Sequence, residues 1–243
     1  MSKKRKREES KKQADLPYQL IPFPNNDKKT WHEQWFVGRD PLNFPHPWRA
    51  CLTGPPGVGK STMVKNFISR ARPQFKRLII VYPGGIQGTT EYSNFDKVAE
   101  YRDTIPEPED FPTTRDGKNF KKTLCIIDDI ELKQLNKQQT KALDRLFGHV
   151  STHRNCSVIL CTQEAFNIPT IARRCANIYV VWKPRGAQNV TNLSDRVEED
   201  LHELFKFCKE NHDSITIDRT AGSPMPLRFN GYQPIIKQER AKE

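Results

Sequence analysis

The sequence has no apolar run near the ~18 residues that would cross a membrane, and its lysine-rich N-terminus leads into no apolar signal core. Membrane insertion and secretion are therefore not expected. Its six cysteines, at 51, 125, 156, 161, 175 and 208, form no Cys-x-x-Cys pair. Without an export signal they read as reduced, buried thiols, and His202, Cys208 and His212 offer too thin a pattern for a zinc site. Apolar residues make up only 35% of the chain, yet they gather in short dense runs, so a core can form. Acids are also in short supply: 29 Asp and Glu face 40 Lys and Arg, for a net charge of +11 among 243 residues and a pI of about 9.4. Such a balance points to a polyanionic partner, nucleic acid first, held by long-range attraction and counterion release.

Along the chain, residues 1–16 carry seven bases against three acids and almost nothing to bury, which predicts a disordered basic tail worth +4. It reads as a nuclear-import signal, a nucleic-acid arm or a solubilising tail. Residues 17–47, rich in proline and aromatics without a period, predict an irregular strap. The domain follows over 48–232, with a charged tail over 233–243. Within the domain, apolar strands are expected at 48–53, 77–82, 123–128, 156–161 and 177–182. Helices are expected near 60–71, 91–102, 131–150 and 168–175, and another after a Ser194 and Asp195 cap through Cys208. Ser214 to Arg219 and Leu227 to Phe229 read as a terminal hairpin. Strands alternating with helices require crossovers, so the fold class is α/β: a mainly parallel central sheet flanked by helices, plus a C-terminal helix and hairpin.

The chemistry concentrates at strand ends. Gly54-Pro55-Pro56-Gly57-Val58-Gly59-Lys60-Ser61 fits G-x-x-x-x-G-K-[ST] directly after a strand and at the start of a helix, with Thr62 next in the first turn. The glycines let backbone N–H groups turn inward around phosphates, Lys60 reaches the β and γ phosphates, and Ser61 offers a hydroxyl to Mg²⁺. Leu124 to Ile127 ends in Asp128 and Asp129, where α/β folds bind ligands. Asp128 would hold Mg²⁺ through water and Asp129 would polarise the attacking water, because phosphoryl transfer depends on positioning and charge neutralisation. An ordinary solvated strand end is the plain alternative for the two acids. Gln163, at the tip of the strand from Cys156, would orient water or sense the γ-phosphate; otherwise it merely begins a loop. Arg154, before that strand, and Arg173 with Arg174, before the next, are surface residues or arginine fingers for a neighbouring subunit, Arg154 ahead of Arg173. Lys183 and Arg185 are the residues expected to touch DNA phosphates.

Together, the P-loop, the Asp128-Asp129 ending, His153-Arg154-Asn155 leading through Ser157 to Leu160 into Thr162-Gln163, and then Ile168-Pro169 and Arg173-Arg174 resemble the viral genome-packaging ATPases of the FtsK/HerA superfamily. The likeness is to the poxvirus-type members found in virophages and related double-stranded DNA viruses, and it covers about residues 48–230. The resemblance implies a ring-shaped homo-oligomer that hydrolyses ATP with Mg²⁺ and pushes duplex DNA into a preformed capsid. It further implies capsid portal or vertex proteins as partners and action in the host cell where virions assemble, in a cytoplasmic factory or the nucleus. Pro55-Pro56 leans towards an AAA+ ATPase or helicase loader, and a small-molecule kinase and a non-catalytic nucleotide-gated DNA-binding module are the other readings.

Overall fold

The computed structural model describes residues 44–83, 90–111, 121–195, 197 and 200–236. The basic tail, the strap up to residue 43 and the C-terminal tail from 237 lie outside the described residues, as do parts of the polar stretch 83–120. Six strands pair in parallel: β1 Arg49–Thr53, β2 Arg77–Val81, β3 Ala99–Arg102, β4 Thr123–Ile127, β5 Cys156–Thr162 and β6 Ile178–Trp182. Three antiparallel strands extend them: β7 Ser214–Asp218, β8 Leu227–Phe229 and β9 Gln233–Pro234. The order across the nine-stranded sheet is β3-β2-β4-β5-β1-β6-β7-β8-β9. The fold is that of an α/β P-loop NTPase.

The strand period of two assigns each side chain to one of two cores. Ala50, Leu52, Leu124, Ile126, Ile159, Cys161, Val180 and Trp182 pack with helix α1, Lys60–Arg70, through Met63, Val64, Phe67 and Ile68. Cys51, Cys125, Ile127, Val158, Leu160, Tyr179 and Val181 face the other way. There they meet Leu143, Leu146 and Phe147 of a helix that begins as α2, Lys137–Arg145. Burial on both faces explains why these strands read as unbroken apolar runs.

Four expectations about elements need correction. No helix spans 91–102; a 3-10 turn, Thr90–Phe95, leads into β3. That edge strand is polar because Arg77 and Arg102 both pair with its Glu100, an arrangement invisible to hydrophobic periodicity. The helix expected over 131–150 begins only at Lys137, where the Asn136 side chain accepts from the Gln139 N–H at 2.8 Å, and it continues through a π segment, Leu146–Val150, to His153. Of the helix expected after the Ser194 and Asp195 cap through Cys208, only the four-residue α5, Leu201–Leu204, forms; an unexpected helix, α4, Ala187–Ser194, ends at that serine, and α3, Thr170–Cys175, precedes β6. Finally, β9 carries the sheet past residue 232, and Phe44 and His46 of the strap already pack on the body, His46 Nδ1 lying 2.7 Å from Ser157 Oγ.

Candidate functional site

The P-loop joins β1 to α1. Gly54 donates its N–H to the Thr162 carbonyl at 3.2 Å, and a Cβ on Gly54 would lie 2.7 Å from Trp182 Cβ, so only glycine lets the loop leave β1 this close to β6. Gly59, at φ 99°, occupies the left-handed region as it hands the loop to the helix. No side chain caps α1 and no acid stands in its first turn, leaving its free N–H groups and positive dipole end for an anion. Lys60 Nζ donates to the carbonyls of Gly54 and Pro55 at 2.8 and 2.9 Å, which holds the ammonium over the loop. Burial pushes its pKa down from the usual lysine range, against the pull of Cys161, Asp128, Asp129 and Glu91.

The two acids after β4 part company. Asp128 keeps the parity of Leu124 and Ile126 and turns to the α1 face, where it is 4% exposed. Its Oδ2 accepts from Tyr92 Oη at 2.7 Å and from Ser61 Oγ at 3.4 Å. Burial raises the Asp128 pKa, the donors Tyr92 and Cys161 pull it down, and Glu91 and Asp129 add to the rise. Asp129 is exposed and adopts φ 55°, a left-handed turn that aspartate tolerates better than most residues. The turn swings its carboxylate towards β5, where Gln163 Nε2 donates to Asp129 Oδ1 at 3.4 Å.

Because β5 lies between β4 and β1, Gln163 emerges between the two acids' strand and the P-loop's strand. Lys60, Asp129, Cys161, Thr162 and Gln163 line one cavity of about 400 Å³. The donor set suits Mg²⁺ and a polyphosphate: the buried carboxylate of Asp128 has only neutral hydrogen-bond donors and sits beside a serine hydroxyl, both hard oxygens. Ser61 and Asp128 would hold the ion, which when bound neutralises phosphate charge.

Two residues of this site carry no sequence motif. Tyr92 is fully buried and reaches Asp128 from the 3-10 turn after β2, in a stretch whose polarity hid it. Cys161 lines the cavity two residues before Gln163, its thiol held well above the usual range by burial. Here only its place on β5 was a signal.

The arginines lie elsewhere. Arg154 stands before β5, at the far end of a seven-residue strand. The strand's six steps of about 3.3 Å separate its ends by about 20 Å, with Arg154 beyond one end and Gln163 beyond the other, and Arg154 Nη1 donates to the Phe111 carbonyl at 3.4 Å. Arg173 is on α3, where its carbonyl accepts from Tyr179 Oη at 2.5 Å. Lys183 and Arg185 are exposed and line a cavity of about 400 Å³ against the outer side of Pro55 to Val58.

Comparison with known structures finds this fold in viral proteins. The DNA-packaging ATPase B204 of Sulfolobus turreted icosahedral virus superposes with a TM-score of 0.56 at 16% identity, covering 79% of this chain and all of its own. This chain shares that protein's fold. The genome-packaging NTPase B204 of Sulfolobus turreted icosahedral virus 2 agrees, in complex with AMPPCP (TM-score 0.55, 18% identity, 80% of this chain and 100% of that one) and with ATP-gammaS (0.54, 17%, 82% and 100%). The likeness read from the motifs is thus also found in three dimensions. No family model and no curated protein matches the sequence.

Proposed function

We propose that this chain is an Mg²⁺-dependent ATPase that drives double-stranded DNA and packages a viral genome into a preformed capsid. The observation that carries the proposal is the meeting of Lys60, Ser61, Asp128, Asp129 and Gln163 at the ends of three neighbouring parallel strands. Gly54 to Thr62 would wrap the phosphates, with Lys60 leaving its loop carbonyls for the β and γ oxygens. Asp129 would hold the attacking water, and Gln163, already within reach of Asp129, would orient it. Support for packaging over an AAA+ loader comes from the chain after β6, whose described residues form two short helices and three strands and no helical lid.

The assembly proposed is a ring of identical subunits meeting capsid portal or vertex proteins in the host cell where virions form. Neither Arg154 nor Arg173 stands at its own phosphates, so each would serve a neighbour, Arg154 first. Mixing Arg154→Ala subunits with Lys60→Ala subunits is expected to restore part of the activity each lacks; co-assembled rings with no recovery would pass the role to Arg173. Lys183 and Arg185 would touch DNA phosphates, without base preference.

The test is displacement of a labelled third strand from a duplex. Wild type is expected to strip it in an ATP-dependent manner and Lys60→Ala to leave it in place. Hydrolysis without displacement would keep the ATPase and reject the translocase.

A further inference from the structure

The continuous helix from Lys137 to His153 carries a base at every fourth position: Lys137, Lys141, Arg145, His149 and His153. All five are exposed, while Ala142, Leu143, Leu146, Phe147 and Val150 on the opposite side are buried. A four-residue step overshoots an α-turn by about 40°, so in a plain α-helix such a row would wind off its face. The π segment Leu146–Val150 turns less per residue and swings the row back. The rings of His149 and His153 lie 4.4 Å apart at the C-terminal end of the row.

We propose that this row is a contact surface for the phosphate backbone of duplex DNA. The inference rests on the DNA-translocase reading above and names a surface for it on α2 and its continuation. The ridge is about 24 Å long; its three permanent cations, Lys137, Lys141 and Arg145, step by about 6 Å, and the two histidines continue it as hydrogen-bonding groups. Asp144 is the one acid within it, and it is half-buried. Lys137 and Lys141 join no ion pair among the described residues, and Arg145 meets Glu107 only at 3.8 Å with 58% of its side chain exposed. Cations with an established acidic partner would gain little from a phosphate; these are poised to release counterions when one arrives. Evenly spaced point charges on one rigid face, without an apolar anchor among them, fit a repeating polyanion better than a folded protein patch. The ridge starts at the end of the sheet that holds the nucleotide cavity, which Lys133 lines one step earlier, and runs to the other end.

The experiment uses full-length protein carrying Lys137→Gln with Lys141→Gln, both outside the nucleotide site. Duplex affinity is measured across a salt series, alongside ATPase rate without DNA, thermal melting and sedimentation. Expected is an unchanged DNA-free rate and melt, a log–log salt slope smaller by about 2, and affinity about tenfold or more weaker near 0.1 M salt. An unchanged slope in the variant, with wild type binding DNA, overturns the ridge and leaves the translocase reading standing. Wild type that binds no duplex, with or without an ATP analogue, overturns both. Loss of self-association, with DNA affinity lost only in proportion, assigns the ridge to a subunit contact and overturns the proposal.

Discussion

Two buried acids at opposite ends of the function of this sheet make an instructive pair. Asp218, 2% exposed on β7, is closed in by Arg228 at 3.2 Å, by Ser223 Oγ at 2.8 Å and by the Thr220 N–H at 2.9 Å. Arg228 is itself fully buried, and its guanidinium lies 4.6 Å from the centre of the Phe44 ring. Asp128 is as deep, but its donors are hydroxyls and a thiol, and burial raises its pKa. A buried carboxylate with its own cation is a staple; one without has room to accept a cation. In the antiparallel annex Asp218 and Arg228 satisfy each other, whereas the parallel half presents Asp128 and Asp129 at the strand ends beside the P-loop.

That contrast can be broken in four ways. Asp129→Asn should do the greatest harm to turnover, lowering kcat by about 10² to 10⁴-fold with nucleotide affinity little changed, since in the proposed role it would act on water and not on the ground state. Equal losses in nucleotide binding and rate would give Asp129 a structural or metal-holding role. Arg228→Ala should cost about 3–5 kcal/mol in denaturant unfolding by stranding Asp218, whereas Arg228→Met with Asp218→Leu should recover most of it. In each, activity per folded molecule should hold, because the staple touches no ligand.

Tyr92→Phe removes one donor from Asp128 and keeps the ring's packing. The Mg²⁺ concentration needed for half-maximal rate, and Mn²⁺ affinity measured by EPR on the nucleotide complex, should each shift by up to about tenfold, equivalent to ~1.4 kcal/mol, with kcat at saturating metal nearly constant. A fall in kcat alone, with metal affinity intact, would make Tyr92 a packing residue.

The smallest effect is on stability. A carboxyl whose folded pKa is raised contributes stability that is complete below its unfolded pKa and is lost as pH rises through the folded value. Asp128 therefore weakens the ligand-free fold at neutral pH, and Asp128→Asn should raise Tm there by a few degrees while abolishing the gain at acid pH. A lower Tm at neutral pH would mean that the carboxylate is already compensated, as Asp218 is.

The parallel half was legible because its physics is local. An unbroken apolar run followed by glycines, acids or glutamine announces a doubly covered strand and the residues at its tip, so the positions of Lys60, Asp128, Asp129 and Gln163 at strand ends are readable from the sequence. Tyr92 and β3 are not, since an edge strand closed by Glu100 and two arginines has no apolar signature, and Tyr92 gains its meaning only from Asp128, 36 residues away. The start of α2 was misjudged by six residues because Asn136, not the acids before it, supplies the cap. The hairpin of β7 and β8 was visible as two short runs, but nothing in either run showed that Asp218 and Arg228 would be buried together.

The most direct test of the central claim, that the strand ends around Lys60 form an ATP-hydrolysing site, is the steady-state release of phosphate from ATP by wild type and Lys60→Ala, each with Mg²⁺ and duplex DNA and each shown to be folded. The account predicts turnover by wild type and loss of nearly all of it in the variant. Equal rates in the two proteins would contradict it.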